Sequence, residues 1–486
     1  MIERASRMMV TLAILGAPCV AQARDVPVSD ATALRAAIDA ALPGDVILLA
    51  DGTYAISGNV ACDTAGTEAM PIVVRSVTPL GATIRFDALE GFHVTEPYWR
   101  FEGLDITGVC ADDSACEHAF HLAGDADHTI IRGNRVRDFN AHIKSNGAGD
   151  PRAWPDDVLV EGNELYDTRP RRTGNPVTTI DVVGGDRWVI RANYIHDRQK
   201  DGGDTISYAA FLKGNGEGGL IERNLVVCER LHSGGVRLGL SFGGGGTSPD
   251  SICQLGTCSP EHRAGVMRNN VIVDCPADVG IYVNECEGCR VLHNTLIHTT
   301  GIDVRFAASD VEVIGNVLSG RVRARDGATL MAMGNREMVS DAEWLAWVRD
   351  PSGVELALID GAELVDLGST LPDVRDDYCG RARSDGMPDL GAIEYDTAEP
   401  CDTTRPPLGG VMPGMDGGVP DGDGGTSGVD ASGLDGGGTP RDGGGAATAS
   451  GSCGCRVGRA SGAAPMGALA LLVTLLGARR RRSPRC

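Results

Sequence analysis

Seven short segments of the chain carry polar or ionisable side chains at a repeating place, each set among aliphatic neighbours. They are Phe120-His121-Leu122, His142-Ile143-Lys144, Ile180-Asp181-Val182, Phe211-Leu212-Lys213, Val236-Arg237-Leu238, Ile281-Tyr282-Val283 and Ile302-Asp303-Val304-Arg305. Read as strands, they point Leu122, Ile143, Val182, Leu212, Ile281 and Val304 inward and their neighbours outward. The outward set is His142 or Lys144, Asp181, Lys213, Arg237, Tyr282 or Asn284, and Asp303 or Arg305. Strands stacked ~4.8 Å apart would bring such groups onto one bound sugar, with Lys144, Asp181, Tyr282, Asp303 and Arg305 as binding candidates. Paired carboxylates among Asp181, Asp204 and Asp303 would suit glycoside hydrolysis. Asp181, Asp204, Glu217 and Glu222, with Asp204 and Glu217 foremost, are oxygen donors of the kind calcium takes. The bland alternative is a solvated strand face. No Ser-His-Asp order, phosphate loop or His-Glu-x-x-His motif is present.

The elements that must position these residues are written in a second repeat. Ile130-Ile131-Arg132-Gly133-Asn134, Leu159-Val160-Glu161-Gly162-Asn163, Val189-Ile190-Arg191-Ala192-Asn193 and Leu220-Ile221-Glu222-Arg223-Asn224 are copies of one phrase, and looser copies end at Asn270, Asn294 and Asn316. A drifting period of this size is the mark of a solenoid with variable loops. Short Val/Ile-rich pieces bounded by Gly, Asn and Asp read as strands and turns. One Asn per coil predicts a stacked amide ladder, each side chain bonding the turn backbone and the Asn of the next coil. The expected fold is all-β, a right-handed parallel β-helix of roughly eight to ten coils resembling the pectate-lyase type. Ahead of it, Asp30 caps a predicted helix from Ala31 to Ala41 that covers the open end of the stack. Two oversized loops, 148–178 and 239–263, leave the coils near the same strand face. Residues 328–400 are expected to form a C-terminal cap, with Trp344 and Trp347 packing on the last coil.

The phrase LRAAIDAALPGDVILLADGTY, together with Lys213 in FLKGNGEGGLIERN and Arg237 in GGVRLGLSFGG, resembles the chondroitinase-B and alginate-lyase family. That resemblance implies Lys213 as the base that takes the proton next to a uronate carboxylate and Arg237 as its partner on the leaving side. A cation beside Lys213 would lower its pKa. Lys144 is the rival base. The family's His-Gly after the Arg is missing here, and its acidic cation cluster is not evident.

The net charge is −22 and lies mostly on the repeat body. This argues against a nucleic-acid partner and suits divalent cations; an anionic polysaccharide would need a local basic patch. Residues 1–23 read as a signal peptide, with Arg4 and Arg7, an apolar run and Ala21-Gln22-Ala23. Residues 24–400 are the β-helix domain and 401–450 a disordered Gly/Asp-rich stalk. Residues 451–486 hold Cys453-Gly454-Cys455, a short apolar transmembrane stretch and Arg479 to Arg482. This tail resembles the Cys-containing C-terminal sorting signal of myxobacterial surface proteins and implies processing and display at the outer cell surface. The alternative is an ordinary tail anchor. In an exported chain the nearby cysteines pair as Cys110–Cys116, Cys253–Cys258, Cys286–Cys289 and Cys379–Cys401; the alternative is a zinc site from the C-x4-C and C-x2-C spacings.

The expectation is therefore an exported, monomeric surface β-helix that engages polysaccharide, with a membrane contact before processing. Its activity would be β-elimination on a uronate polymer. The alternatives are a non-catalytic glycan-binding or structural β-helix, and a glycoside hydrolase.

Overall fold

The computed structural model describes residues 23–405, apart from 245, 384, 385 and 397. The expected signal peptide, but for Ala23, most of the expected stalk and the expected sorting signal lie outside the described residues. Among the described residues no helix is long and apolar enough to cross a membrane.

Three parallel sheets run the length of a coiled ribbon, and successive coils contribute one strand to each. The sheet that carries the expected stripe has ten strands. They are β1 (Val60–Cys62), β2 (Glu90–Val94), β3 (His118–Ala123), β4 (Ala141–Asn146), β5 (Val177–Val183), β6 (Ile206–Lys213), β7 (Val236–Phe242), β8 (Ile281–Asn284), β9 (Gly301–Arg305) and β10 (Arg321–Arg325). Leu122, Ile143, Val182, Leu212, Ile281 and Val304 all point into the core, as alternation requires.

The asparagine ladder is complete from Asn134 through Asn163, Asn193, Asn224, Asn270, Asn294 and Asn316, and it continues to Asn335. Each Asn donates its backbone N–H and its Nδ2 to the Oδ1 of the next, at 2.9 and 3.1 Å for Asn134 on Asn163. The residue before each Asn is left-handed, which explains Gly133, Gly162 and Gly315. Ala192, Arg223, Asn269 and His293 hold the same positive φ, at a cost of roughly 1–2 kcal/mol each that the buried amide bonds offset. One step N-terminal, an alternating charge row runs outside: Arg132–Glu161–Arg191–Glu222–Arg268.

A helix, α1 (Ala31–Asp39), closes the N-terminal end. Asp30 accepts bonds from Thr32 and Ala33, and Leu34 and Ile38 are buried against the first coil. A second helix, α2 (Asp341–Trp347), meets the last coil as expected, Trp344 donating to Ser319 Oγ at 2.9 Å. The chain after it extends along the flank, and Trp344 and Trp347 belong to one buried cluster with Val317 and with Leu225, Val227, Val271, Val273 and Ile297 of earlier coils. Those strands are apolar on both faces, so their outer row needs a cover.

Among the described residues five disulfides form: the four expected pairs, Cys110–Cys116, Cys253–Cys258, Cys286–Cys289 and Cys379–Cys401, and also Cys228–Cys275 across neighbouring coils. The zinc alternative for these cysteines is thereby removed.

Candidate functional site

Register fixes what meets on the outer face of the ten-stranded sheet. One column reads His93, His121, Lys144, Asp181, Phe211, Ser241, Tyr282, Asp303, Arg323 from β2 to β10. Beside it run Asn146, Val183 and Lys213 on one stretch and Asn284, Arg305 and Arg325 on another. Lys144, Asp181, Tyr282 and Asp303 therefore share a column, as alternation implied.

Arg237 does not join them. It pairs in register with Ser207, at the start of β6, whereas Lys213 ends that strand. Six residues of extended chain separate the two positions, about 20 Å. Arg237 is buried at the corner, donating to the Gly234 carbonyl at 2.8 Å, to Gln199 Oε1 at 2.6 Å and to the Cys228 carbonyl. It clamps the loop that enters β7. Strand β7 has seven residues, and the true counterpart of Phe211-Leu212 is Ser241-Phe242. His142 also turns away, with Nε2 against the Tyr166 carbonyl at 2.9 Å.

The centre of the site is Lys144, Asp181 and Lys213. Lys144 Nζ donates to Asp181 Oδ1 at 2.8 Å, and their side chains are 12% and 7% exposed. Burial works to raise the Asp181 pKa, but Lys144 and then Lys213 outweigh it and hold the carboxyl below its usual range. Lys213 is buried, with Nζ 4.4 Å from the Phe211 ring centroid. Glu261 lies on its other side, accepting from Thr247 at 2.9 Å and from Gly214 N–H at 3.2 Å. Burial pushes the Glu261 carboxyl up, and Lys213 pulls it back. His118, on the same floor, is pushed down to about 3 by burial and then by His121 and Lys144.

Loops wall this floor on both sides. Trp154 donates to the Ile252 carbonyl at 3.2 Å and Arg152 to the Ser251 carbonyl at 3.2 Å, tying the two oversized loops together beside β4 to β6. Across the sheet, Arg171 bonds Asn140 Oδ1 at 3.1 Å, and Asn140 bonds Glu117 at 2.9 Å.

The far half of the column is distinct. Asp303 is held by Arg323 and Arg325, each at 2.6 Å. Arg305 bonds Asp326 at 2.6 Å and the Tyr282 hydroxyl at 3.1 Å. Asp181 and Asp303 stand four strand steps apart, roughly 19 Å, too far for the paired-carboxylate reading. Asp204 is bound to Lys200 at 2.8 Å ahead of β6, and Glu217 faces Arg263 at 3.3 Å beyond its end. Glu222 is locked in the charge row between Arg191 and Arg268. The expected calcium donors do not converge and do not fit that ion as a set.

Glu90, His93 and His121 also meet on this face, although alternation alone did not single them out. Their signal in the sequence was the repeated phrase Phe92-His93-Val94 and Phe120-His121-Leu122, which stacks the two imidazoles.

Residues 118–318 match the right handed beta helix region family. Pectate lyase L of Dickeya chrysanthemi is 37% identical over 161 residues, 27% of this chain and 37% of that protein. The chain thus aligns with little more than a third of that relative's length. Solved structures found similar to the chain include pectate lyase Pel9A, at 18% identity and a TM-score of 0.42, over 74% of this chain and 90% of that one. An alginate lyase from Paenibacillus sp. str. FPU-7 has 18% identity and a TM-score of 0.38, over 64% and 99%. A rhamnogalacturonan lyase has 12% identity and a TM-score of 0.40, over 64% and 87%. By its strand order, its asparagine ladder and its matched region, the chain is a right-handed parallel β-helix protein that resembles the pectate-lyase-like superfamily.

Proposed function

We propose that this protein engages an acidic polysaccharide along the outer face of the ten-stranded sheet and cleaves it by β-elimination. The observation that carries the reading is the Lys144–Asp181–Lys213 cluster on successive coils, between two loop walls. The relative aligned over 161 residues is itself called a pectate lyase, which supports the same class. On this face Lys144, Arg305, Arg323 and Arg325 each already sit against a carboxylate, Asp181, Asp326 or Asp303, so a uronate would bind by competing for them.

Lys144 is the better base, because Lys213 is 2% exposed beneath the loop that follows β7. In the step itself, Lys144 Nζ as the neutral amine takes the proton from the carbon next to the uronate carboxylate. The electron pair becomes a carbon–carbon double bond, the glycosidic C–O bond breaks, and the leaving sugar's oxygen takes a proton from water. Asp181 positions the amine. Export by residues 1–23 and surface display by residues 451–486 belong to the same proposal, as does a monomeric state.

The test is ultraviolet absorbance of the unsaturated uronate product with alginate, pectate and chondroitin, each with and without calcium. Product from one polymer that disappears in Lys144→Ala, with glycan binding retained, supports the reading. Binding without product from any polymer would replace it with the non-catalytic surface protein.

A further inference from the structure

One and two rungs from Lys144, the same face of the sheet holds three donor groups that the proposed cleavage does not use. His93 Nδ1 lies 2.8 Å from Glu90 Oε2, and His121 Nδ1 lies 2.9 Å from Glu90 Oε1. One ligand atom from each of Glu90, His93 and His121 lies within 4.8 Å of the others. These atoms come from β2 and β3, adjacent rungs of a rigid sheet, so their spacing is set by backbone register and not by a loop.

The hydrogen bond that orients the ring is also in place. His121 Nε2 lies 2.8 Å from Asn146 Oδ1. The amide orientation follows from Asn146 Nδ2, which donates to the Gly147 carbonyl at 3.3 Å. The Asn146 contact fixes the ring so that Nδ1 faces the Glu90 carboxylate at 2.9 Å. Fixing one imidazole nitrogen by an oxygen acceptor, so that the other is free to ligate, is how proteins orient metal-bound histidines.

We infer that Glu90, His93 and His121 form a binding site for a borderline divalent transition cation such as Zn²⁺, with its remaining coordination positions open to the groove. The donor set chooses the class: two imidazoles and one carboxylate suit Zn²⁺ and its neighbours, whereas Ca²⁺ prefers all-oxygen shells. One ligand atom of each group lies within 4.8 Å of the others, and ligands about 2.0–2.1 Å from a tetrahedral Zn²⁺ lie about 3.3 Å from one another, so side-chain rotation would draw the three onto one ion. The side chains of His93, Glu90 and His121 are 28%, 23% and 13% exposed, which leaves an approach for the ion and for water. The site makes no use of Lys144 chemistry, so its failure and the failure of the lyase reading are separate events.

The experiment uses the tag-free full chain, stripped with chelator and dialysed against Zn²⁺. Elemental analysis should find one more zinc per wild-type chain than in His93→Ala or Glu90→Gln. Co²⁺ in place of Zn²⁺ should give a visible absorption band in the wild type that both variants lose. Because His93 is the most exposed of the three, His93→Ala is the variant that tests binding in a folded chain; matching far-ultraviolet circular dichroism checks this. Equal metal content in wild type and variants would overturn the inference. So would displacement of the zinc by a modest excess of Ca²⁺.

Discussion

Removing one amide from the middle of the ladder should cost far more than removing one at its end. Asn193 is fully buried, and its side chain makes four bonds. Its Oδ1 accepts from Asn163 N–H at 3.0 Å and from Asn163 Nδ2 at 2.9 Å. Its Nδ2 donates to the Val160 carbonyl at 2.9 Å and to Asn224 Oδ1 at 3.0 Å. In Asn193→Ala the Asn163 backbone N–H is stranded in a dry turn, about 1–3 kcal/mol, and the three other bonds are lost at about 1 kcal/mol each. The expected cost is about 4–6 kcal/mol, at the extreme of single substitutions. Asn335 closes the ladder, is half-buried and makes three bonds, to Asn316 twice and to the Val313 carbonyl. Water can replace them, so Asn335→Ala should cost about 1–2 kcal/mol. Guanidinium unfolding with the disulfides intact measures both. If the two variants fall within about 1 kcal/mol of each other, the ladder is not a cooperative buried network and the reasoning is wrong.

Lys144→Ala should lower any lyase turnover by at least about 100-fold, as expected for loss of a positioned base, whereas Arg237→Ala should act on stability; equal effects on turnover at unchanged stability would return Arg237 to the site. Burial pushes His118 and His262 down to about 3, and His142 and His293 down to about 4, from 6.5. The unfolded chain then binds more protons than the folded one below pH 6.5, so stability falls as pH drops from 6.5 toward 4, by up to about 1.4 kcal/mol per pH unit for each imidazole. Urea midpoints that stay flat over that range would contradict this, and His142→Gln should shallow the slope. Joint replacement of Cys228 and Cys275 by Ser opens a bridge of sequence separation 47 and should cost up to about 4 kcal/mol; an unchanged denaturation midpoint would show that the bridge constrains nothing.

The coil architecture was legible because an Asn at one fixed place in every turn serves a stacked turn backbone and little else, and every copy of the phrase stacked as written. The outward positions of Lys144, Asp181, Tyr282 and Asp303 were legible because the period of a strand is two. Arg237 was misplaced for the same reason: Val236-Arg237-Leu238 and Leu240-Ser241-Phe242 alternate equally well, and a shift of four residues preserves the pattern. Only the coil before it, through Leu212 and Phe242, fixes the choice. The flank cover was missed because Leu225-Val226-Val227 reads as one buried strand, and nothing local says which other part of the chain will lie on its outer row. Cys228–Cys275 was missed because contact across coils depends on loop length, which spacing in sequence does not reveal.

The alternating row Arg132, Glu161, Arg191, Glu222, Arg268 has a bearing on how the ribbon winds up. In a solenoid the phrases are nearly interchangeable, so a growing stack can skip a turn and still bury its aliphatic side chains. Skipping one turn would lay Arg191 on Arg132, or Glu222 on Glu161, like charge on like. Misthreading by an odd count is thus penalised by sign parity along the spine. The polar rim keeps the tally of turns that the oily interior, blind to which copy is which, cannot keep.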